Sequence, residues 1–315
     1  MSIENLRPES LKEYIGQEEH KENLEIYIEA AKIKQKPINH ILIHGAAGLG
    51  KTSLASVIAA EFGKDVKFAH APNIEKMADL MPYLINLEDG DFLFIDEIHA
   101  LDKRIEENLY TIMEDFRTDI IIQKGTDKEA ISLDLNKFTL IGATTMKGKL
   151  SAPLSERFGI DINLKPYTIE ELIQIIKINF RKLDININDD SAYEIAIRSR
   201  GTPRKVIHII NRVYDFALVN KKEILEKDFI IEVLEKLKID KNGLNEVDHI
   251  ILKLLKDKGE KKPIGINALC SSLNENRETI ENKIEPYLLQ AGFIERTPRG
   301  RIITKKGLEA INNIN

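Results

Sequence analysis

The sequence predicts an α/β protein with a parallel-sheet domain over residues 1–167, a small helical domain over 168–240 and a winged helix over 241–315. Three observations predict it. A short apolar strand runs directly into a glycine-rich loop and then a helix, across residues 40–62. Strand and helix patterns then alternate, as in a parallel sheet covered on both faces. After Pro166-Tyr167 the pattern turns all-helical, and past Asn242-Gly243 it reads as three helices and a two-stranded ribbon.

Each element follows from its own residues. Apolar runs place strands near 40–44, 66–70, 92–96, 138–143 and 160–164. The segment between Asp115 and Phe138 has no room for a full helix. Asp119–Ile122, a Lys124–Asp127 turn and Ile131–Leu135 read instead as an inserted β-hairpin. Residues Ile169–Leu183 are amphipathic, Asp190 or Ser191 caps a helix ending at Arg198, and Pro203 sits in the first turn of the next. Asp228 opens another helix, to Leu237. The last region reads as helices over Val247–Lys256, Asn267–Leu273 and Arg277–Gln290, with Gly292 as the stop. A ribbon follows, Phe293–Thr297 and Arg301–Thr304 around Pro298-Arg299-Gly300.

Composition bounds the function. The 315 residues are 43% hydrophobic and 31% charged, enough for real cores under a charged surface. No apolar run has the length of a membrane span, and MSIENLRPES lacks the apolar centre of a signal peptide. The single cysteine, Cys270, excludes an internal disulfide and reads as a small core residue. Metal-type Cys/His spacing is absent. These features point to the cytosol. A net charge of −5 excludes a general DNA-coating protein, yet Arg296, Arg299, Arg301, Lys305 and Lys306 form a local cationic cluster on the expected wing.

The chemistry lies in two motifs. Gly45–Thr52, GAAGLGKT, fits the phosphate-loop pattern, and its strand–loop–helix context supports it. The glycines allow backbone N–H groups to surround a polyphosphate at a helix N-terminus. Gly45, Gly48, Leu49, Gly50 and Ser53 belong to this cradle. Lys51 reaches toward the β/γ-phosphates, and the Thr52 hydroxyl is suited to Mg2+. Phe92–Ile95 then ends in Asp96-Glu97, at the strand end where open α/β sheets place ligand chemistry. Asp96 suits a metal-bound water, and Glu97 suits activation of the attacking water. Thr144-Thr145 end a strand expected between those two. Arg157 suits either an arginine finger supplied to a neighbour's site or a surface salt bridge. Arg204, at a helix start, suits either a nucleotide contact across a domain cleft or a structural pairing with a nearby acid.

With these residues in view, the chain resembles AAA+ ATPases and, more narrowly, the RuvB family of bacterial Holliday-junction branch-migration motors. The resemblance rests on Leu6-Arg7-Pro8, Glu13–Gln17, GAAGLGKT, Leu87–Asp91, Phe94–His99, Met113–Phe116, Thr139–Thr145, Arg198–Arg204 and Arg296–Arg301. It implies an AAA+ ATPase domain, a lid domain and a winged-helix DNA-binding domain. Leu6, Arg7, Tyr14 and Ile15 would line the adenine side, and Tyr167 the hinge side. Glu114, Asp115 and Phe116 would belong to the nucleotide site, Thr144 would be the sensor, and Arg277, Arg296 and Arg301 would contact the DNA backbone. The resemblance also implies that Arg157 is the finger acting in trans and Arg204 the second-domain sensor. ATP/ADP and Mg2+ are the implied cofactors. A homohexameric ring, RuvA docked on the 119–135 hairpin, and RuvC are the implied partners. Recombination, DNA repair and the SOS response to DNA damage are the implied setting. The sequence departs from the family at Ala46-Ala47 (usually two prolines), Ala100, Ser155 and Lys261-Lys262. Two other readings stay open: a clamp-loader or initiator-like switch that assembles on DNA, and a nucleotide-gated DNA-binding regulator without turnover. The basic wing and the hairpin disfavour the first, and intact Lys51, Asp96 and Glu97 disfavour the second.

Overall fold

A computed structural model describes residues 6–124, 127–259 and 262–312, with the side chains of 120–130 outside it. Two compact units result: residues 1–175 with 202–204, and residues 176–201 with 205–315.

The first unit carries strands β1 (Ile41–His44), β2 (Val66–His70), β3 (Phe92–Asp96), β4 (Arg117–Lys124), β5 (Asp127–Asp134), β6 (Thr139–Thr144) and β7 (Ile160–Asn163). Five of them form one parallel sheet in the order β2-β3-β6-β1-β7. Burial explains the order. The apolar residues of β1, β3 and β6 are all buried, as those of central strands flanked on both faces must be. At one edge β7 alternates, with Ile160 and Ile162 buried and Asp161 and Asn163 exposed. At the other, Phe68 of β2 remains exposed. The register sets Ile41 beside Ile141 and Phe94 beside Ile141, so the C-terminal ends of β1, β6 and β3 lie side by side. Gly142 leaves room for side chains packed on β6, because a Cβ there would sit 2.8 Å from the Phe158 ring and 3.1 Å from Ile98.

Helices α1 (Glu18–Lys34), α2 (Lys51–Ala60), α3 (Met77–Ile85), α4 (Lys103–Asp115) and α5 (Ala152–Glu156) complete the unit, and α6 (Ile169–Lys182) leads out of it. The α4 helix starts on an Asp102 cap that accepts from the Arg104 N–H and ends at Phe116, whose φ is 52°. The expected hairpin is present as antiparallel β4–β5, longer than the sequence suggested, with Thr118 opposite Leu133. Leu135 falls beyond β5, bonds through its N–H to the Phe116 carbonyl, and packs on the main core. The Gly125-Thr126 turn and the Ile120–Ile122 side chains lie outside the described residues.

In the second unit, α7 (Asp189–Arg198) is capped by Asn188, whose side chain accepts from the Ser191 N–H. The expected Asp190 or Ser191 cap is therefore corrected to Asn188, two or three residues earlier. α8 (Pro203–Val219) begins at Pro203 as expected; α9 (Lys227–Lys236) opens after Glu226. A two-residue parallel pair, β8 (Asn186–Ile187) with β9 (Ile224–Leu225), is too short to leave a sequence signal. Beyond it come α10 (Glu246–Lys258), α11 (Ile266–Leu273), and a helix built of α12 (Arg277–Thr279), a π-helical stretch (Ile280–Ile284) and α13 (Glu285–Gln290). The ribbon is β10 (Ile294–Thr297) and β11 (Gly300–Ile303), extended by a bridge from Ile264 to Arg301. A last helix, α14 (Lys305–Asn312), was not anticipated. Lys305 and Lys306 therefore open a helix rather than belonging to the wing. Leu244, Ile251, Leu252, Leu255, Leu288, Phe293, Ile294, Ile303 and Ala310 form the core of this winged helix. Among the described residues no helix is long and apolar enough to cross a membrane.

Candidate active site

The loop after β1 takes the shape its glycines permit. Gly45, Gly48 and Gly50 have φ of 144°, 85° and 95°, a region that glycine enters without steric cost. α2 starts at Lys51, so the loop feeds a helix N-terminus. Lys51 is itself buried, and its ammonium donates to the carbonyls of Gly45 at 2.9 Å and Ala46 at 3.2 Å. Burial lowers the Lys51 pKa; the Glu97 and Asp96 carboxylates raise it, and Arg204 lowers it again. The ammonium thus lies within the electrostatic reach of all three. Leu49 is buried, and Thr52 and Ser53 are half-buried in the first turn.

The acidic pair is shaped by backbone strain. Glu97 has φ 50° and ψ 43°, a left-handed conformation that costs a non-glycine residue about 1–2 kcal/mol. Its N–H is held by Asp96 Oδ1 at 3.0 Å. This turn swings the Glu97 carboxylate toward the end of β6, where Oε2 accepts from the Thr145 N–H at 3.2 Å and the Thr145 hydroxyl at 3.0 Å. Thr144 is fully buried, and its hydroxyl bonds to His99 Nδ1 at 2.8 Å and accepts from the Met146 N–H at 2.9 Å. The side chain that meets Glu97 directly is therefore Thr145, which takes the position expected for Thr144. Thr144 ends β6 buried against His99, and Thr145, one residue past the strand and half-buried, is the one that reaches Glu97. His99 was not anticipated as a partner of this pair.

Arg204 donates its backbone N–H to the Gly48 carbonyl at 3.3 Å, and its Cβ stands 3.1 Å from where a Gly48 Cβ would be. On the other side, the buried phenols of Tyr14 and Tyr167 are hydrogen-bonded at 3.2 Å. The Tyr14 oxygen lies 3.0 Å from the position of a Gly50 Cβ. Burial pushes the Tyr167 pKa up to about 12 and that of Tyr14 well above its ordinary value, so both stay neutral, with the Tyr167 hydroxyl donating to Tyr14. Leu6 is buried, Ile15 half-buried and Arg7 exposed. Arg157 closes α5 and pairs through Nε with Glu114 at 2.7 Å, while Asp115 is exposed and Phe116 packs on the core.

The three arginines expected at DNA are placed differently from one another. Arg277 is exposed and paired with Glu281 at 2.9 Å. Arg296 is half-exposed and paired with Glu285 at 2.7 Å. Arg301 is buried, bonds both Glu285 oxygens at 2.6 and 2.9 Å, and reaches Glu281 at 3.0 Å. Its guanidinium faces its own domain, so the expected backbone contact does not fit this placement.

A phosphate loop, an adjacent Asp-Glu strand end and a polar residue on the strand between them define a P-loop ATPase of the AAA+ class. The comparisons narrow it. Residues 6–164 match the Holliday junction DNA helicase RuvB P-loop domain, 167–240 the RuvB AAA lid domain and 241–312 the RuvB C-terminal winged helix domain. The Holliday junction branch migration complex subunit RuvB of Leuconostoc mesenteroides is 46% identical over 303 residues, 96% of this chain and 86% of that protein. The Thermotoga maritima RuvB Holliday junction branch migration motor shares 44% identity, with a TM-score of 0.86 over 98% of each chain. A single-residue variant of that protein aligns with a TM-score of 0.88. The chain belongs to the RuvB family, and it is a nucleotide-binding ATP hydrolase.

Proposed function

We propose that the chain is the cytoplasmic motor that uses ATP to pump duplex DNA and drive branch migration of Holliday junctions. It works as a homohexameric ring with RuvA and RuvC, in recombination, DNA repair and the SOS response. The observation that carries the reading is the grouping of Lys51, Asp96, Glu97, Thr145 and Arg204 around the phosphate loop. The same chain matches all three RuvB regions. The reading divides it into an ATPase domain (1–167), a lid (168–240) and a winged-helix DNA-binding domain (241–315).

The roles follow from chemistry. Lys51 moves from the loop carbonyls to the β/γ-phosphates when nucleotide enters. Glu97 takes the proton of the attacking water, and Thr145 orients Glu97, with Thr144 behind it. Tyr14 and Tyr167 close the site beside Gly50, with Leu6, Arg7 and Ile15 on the adenine side. Mg2+ takes oxygen ligands and keeps several waters. The Thr52 hydroxyl and Asp96 carboxylate are donors of that kind, and the ion would neutralise charge on the phosphates. Arg204 reports nucleotide through its bond to Gly48, and Arg157 serves a neighbour's site.

On DNA, the half-exposed Arg296 and exposed Arg277 and Arg299 are the phosphate-facing candidates. Phosphate contact of this kind reads no sequence. The hairpin is the RuvA-docking element. Its Ile131 is 44% exposed, whereas Leu133 is half-buried, so Ile131 is the better probe. Ile131→Asp should abolish RuvA-dependent branch migration and RuvA pull-down while leaving ATP binding intact. Undiminished RuvA capture by the folded variant would remove the hairpin from the interface.

A further inference from the structure

We infer that His99 is a positioning residue for ATP hydrolysis, holding one oxygen of the Glu97 carboxylate so that the other is left for the attacking water. The inference rests on Glu97 as the base of the proposed function. The two oxygens of Glu97 are not equivalent. Oε2 accepts from the Thr145 N–H at 3.2 Å and the Thr145 hydroxyl at 3.0 Å, and lies 3.2 Å from His99 Nδ1. Oε1 has a single long contact, 3.3 Å, to the same hydroxyl. Two donors from Thr145 hold Oε2, the His99 ring nitrogen stands beside it, and Oε1 is left almost free.

The tautomer follows from the neighbours. A carboxylate has no proton to give, so the Nδ1 that faces Oε2 must carry one. The Thr144 oxygen, 2.8 Å from Nδ1, already accepts the Met146 N–H and has a second lone pair to accept with. In this assignment the His99 N–H lies between the Thr144 oxygen at the end of β6, 2.8 Å from Nδ1, and Glu97 Oε2 beyond the end of β3, 3.2 Å from it. Burial lowers the His99 pKa, opposed by Glu97 and Asp96 and assisted by Lys149. The neutral ring is thus a donor bridging two adjacent strands, at a residue the left-handed Glu97 turn brings back onto its own carboxylate.

In the step served, water oxygen bonds to the γ-phosphorus as the bridging P–O bond to the β-phosphate breaks. ADP leaves with the bonding electron pair, and the water proton passes to Oε1. A carboxylate released from its Oε2 anchor samples other orientations, and misplacement by about 1 Å costs up to roughly 10²-fold in rate.

The test is steady-state ATP hydrolysis by the full chain for wild type, His99→Ala, His99→Asn, His99→Gln and Glu97→Gln, with nucleotide binding measured separately. Asn places an amide N–H where Nδ1 stands, and Gln places it one methylene further, at the Nε2 position. His99→Ala and His99→Gln should lose roughly ten- to a hundred-fold in kcat with KM and ATP affinity unchanged, and His99→Asn should recover most of it. Wild-type kcat in His99→Ala, an Asn variant as slow as the Gln variant, or KM rising in step with the loss would each overturn the assignment. Wild-type turnover by Glu97→Gln would instead remove Glu97 as the base, and the role of His99 with it.

Discussion

Arg157→Ala subunits should bind ATP as wild type does and hydrolyse it on the order of 10³-fold more slowly, the scale of an arginine finger. The physical basis is where the side chain stands. Arg157 closes the short α5 helix, is about one-third exposed at 34%, and is held by Glu114 on its own subunit. Planar, always charged and, among the described residues, paired with Glu114, it carries a guanidinium suited to a γ-phosphate presented from outside the subunit. A finger in trans makes a further demand. Rings mixed from Arg157→Ala and Lys51→Ala subunits contain some interfaces with an intact loop facing an intact arginine. Turnover should therefore peak at intermediate mixing ratios. A flat, inactive profile in rings shown to be mixed would place Arg157 outside the neighbour's site.

Arg301→Ala should destabilise the winged helix rather than simply weaken its grip on DNA. Arg301 is 6% exposed and Glu285 1% exposed, and the two are joined by paired hydrogen bonds. Removing Arg301 leaves the buried Glu285 carboxylate with the half-exposed Arg296 as its partner, so the cost should fall toward the lower end of the range for a broken buried pair, about 3 kcal/mol. Urea unfolding should show that loss, and a joint Arg301→Met, Glu285→Leu change should recover most of it. Arg296→Ala, at a half-exposed position, should leave stability nearly unchanged. It should instead lower DNA affinity and the log–log salt slope by roughly 0.9. Wild-type stability of Arg301→Ala together with weaker DNA binding would return Arg301 to the DNA interface. The pair also sets a pH trend. Burial raises the Glu285 pKa, but Arg301 and Arg296 outweigh it and the net shift is downward. A carboxylate with a depressed folded pKa adds stability above its unfolded pKa. That stability should be lost as pH falls through the folded value.

The phosphate loop, the acidic strand end and the sheet strands were legible because each is a local pattern with one physical solution. Continuous apolar runs gave the central strands, whereas that Ile160–Asn163 is an edge strand shows only in the sheet order. The remainder depended on partners distant in sequence. Arg301 looks like any cation of a basic cluster. Its burial is announced only by Glu281 and Glu285, four residues apart on one helix face and thus able to grip it together. Lys305-Lys306 hid the start of α14, although Leu308 and Ile311 repeat at helical spacing. Thr144 and Thr145 are interchangeable by composition, and which of them meets Glu97 depends on where β6 ends. Asn188 outcompetes Asp190 and Ser191 as a cap because α7 begins one turn earlier than its apolar pattern suggests. His99 gave no signal at all, since its partners lie at the end of another strand.

The central claim is that ATP turnover at this site moves junctions. The most direct measurement is conversion of a synthetic four-way junction to duplex products by the full chain with RuvA and ATP, run beside Glu97→Gln. The account predicts branch migration by wild type and none by Glu97→Gln, which should bind nucleotide and DNA without turning over. Brisk ATP hydrolysis by wild type on RuvA-bound junctions that stay unmigrated would contradict it.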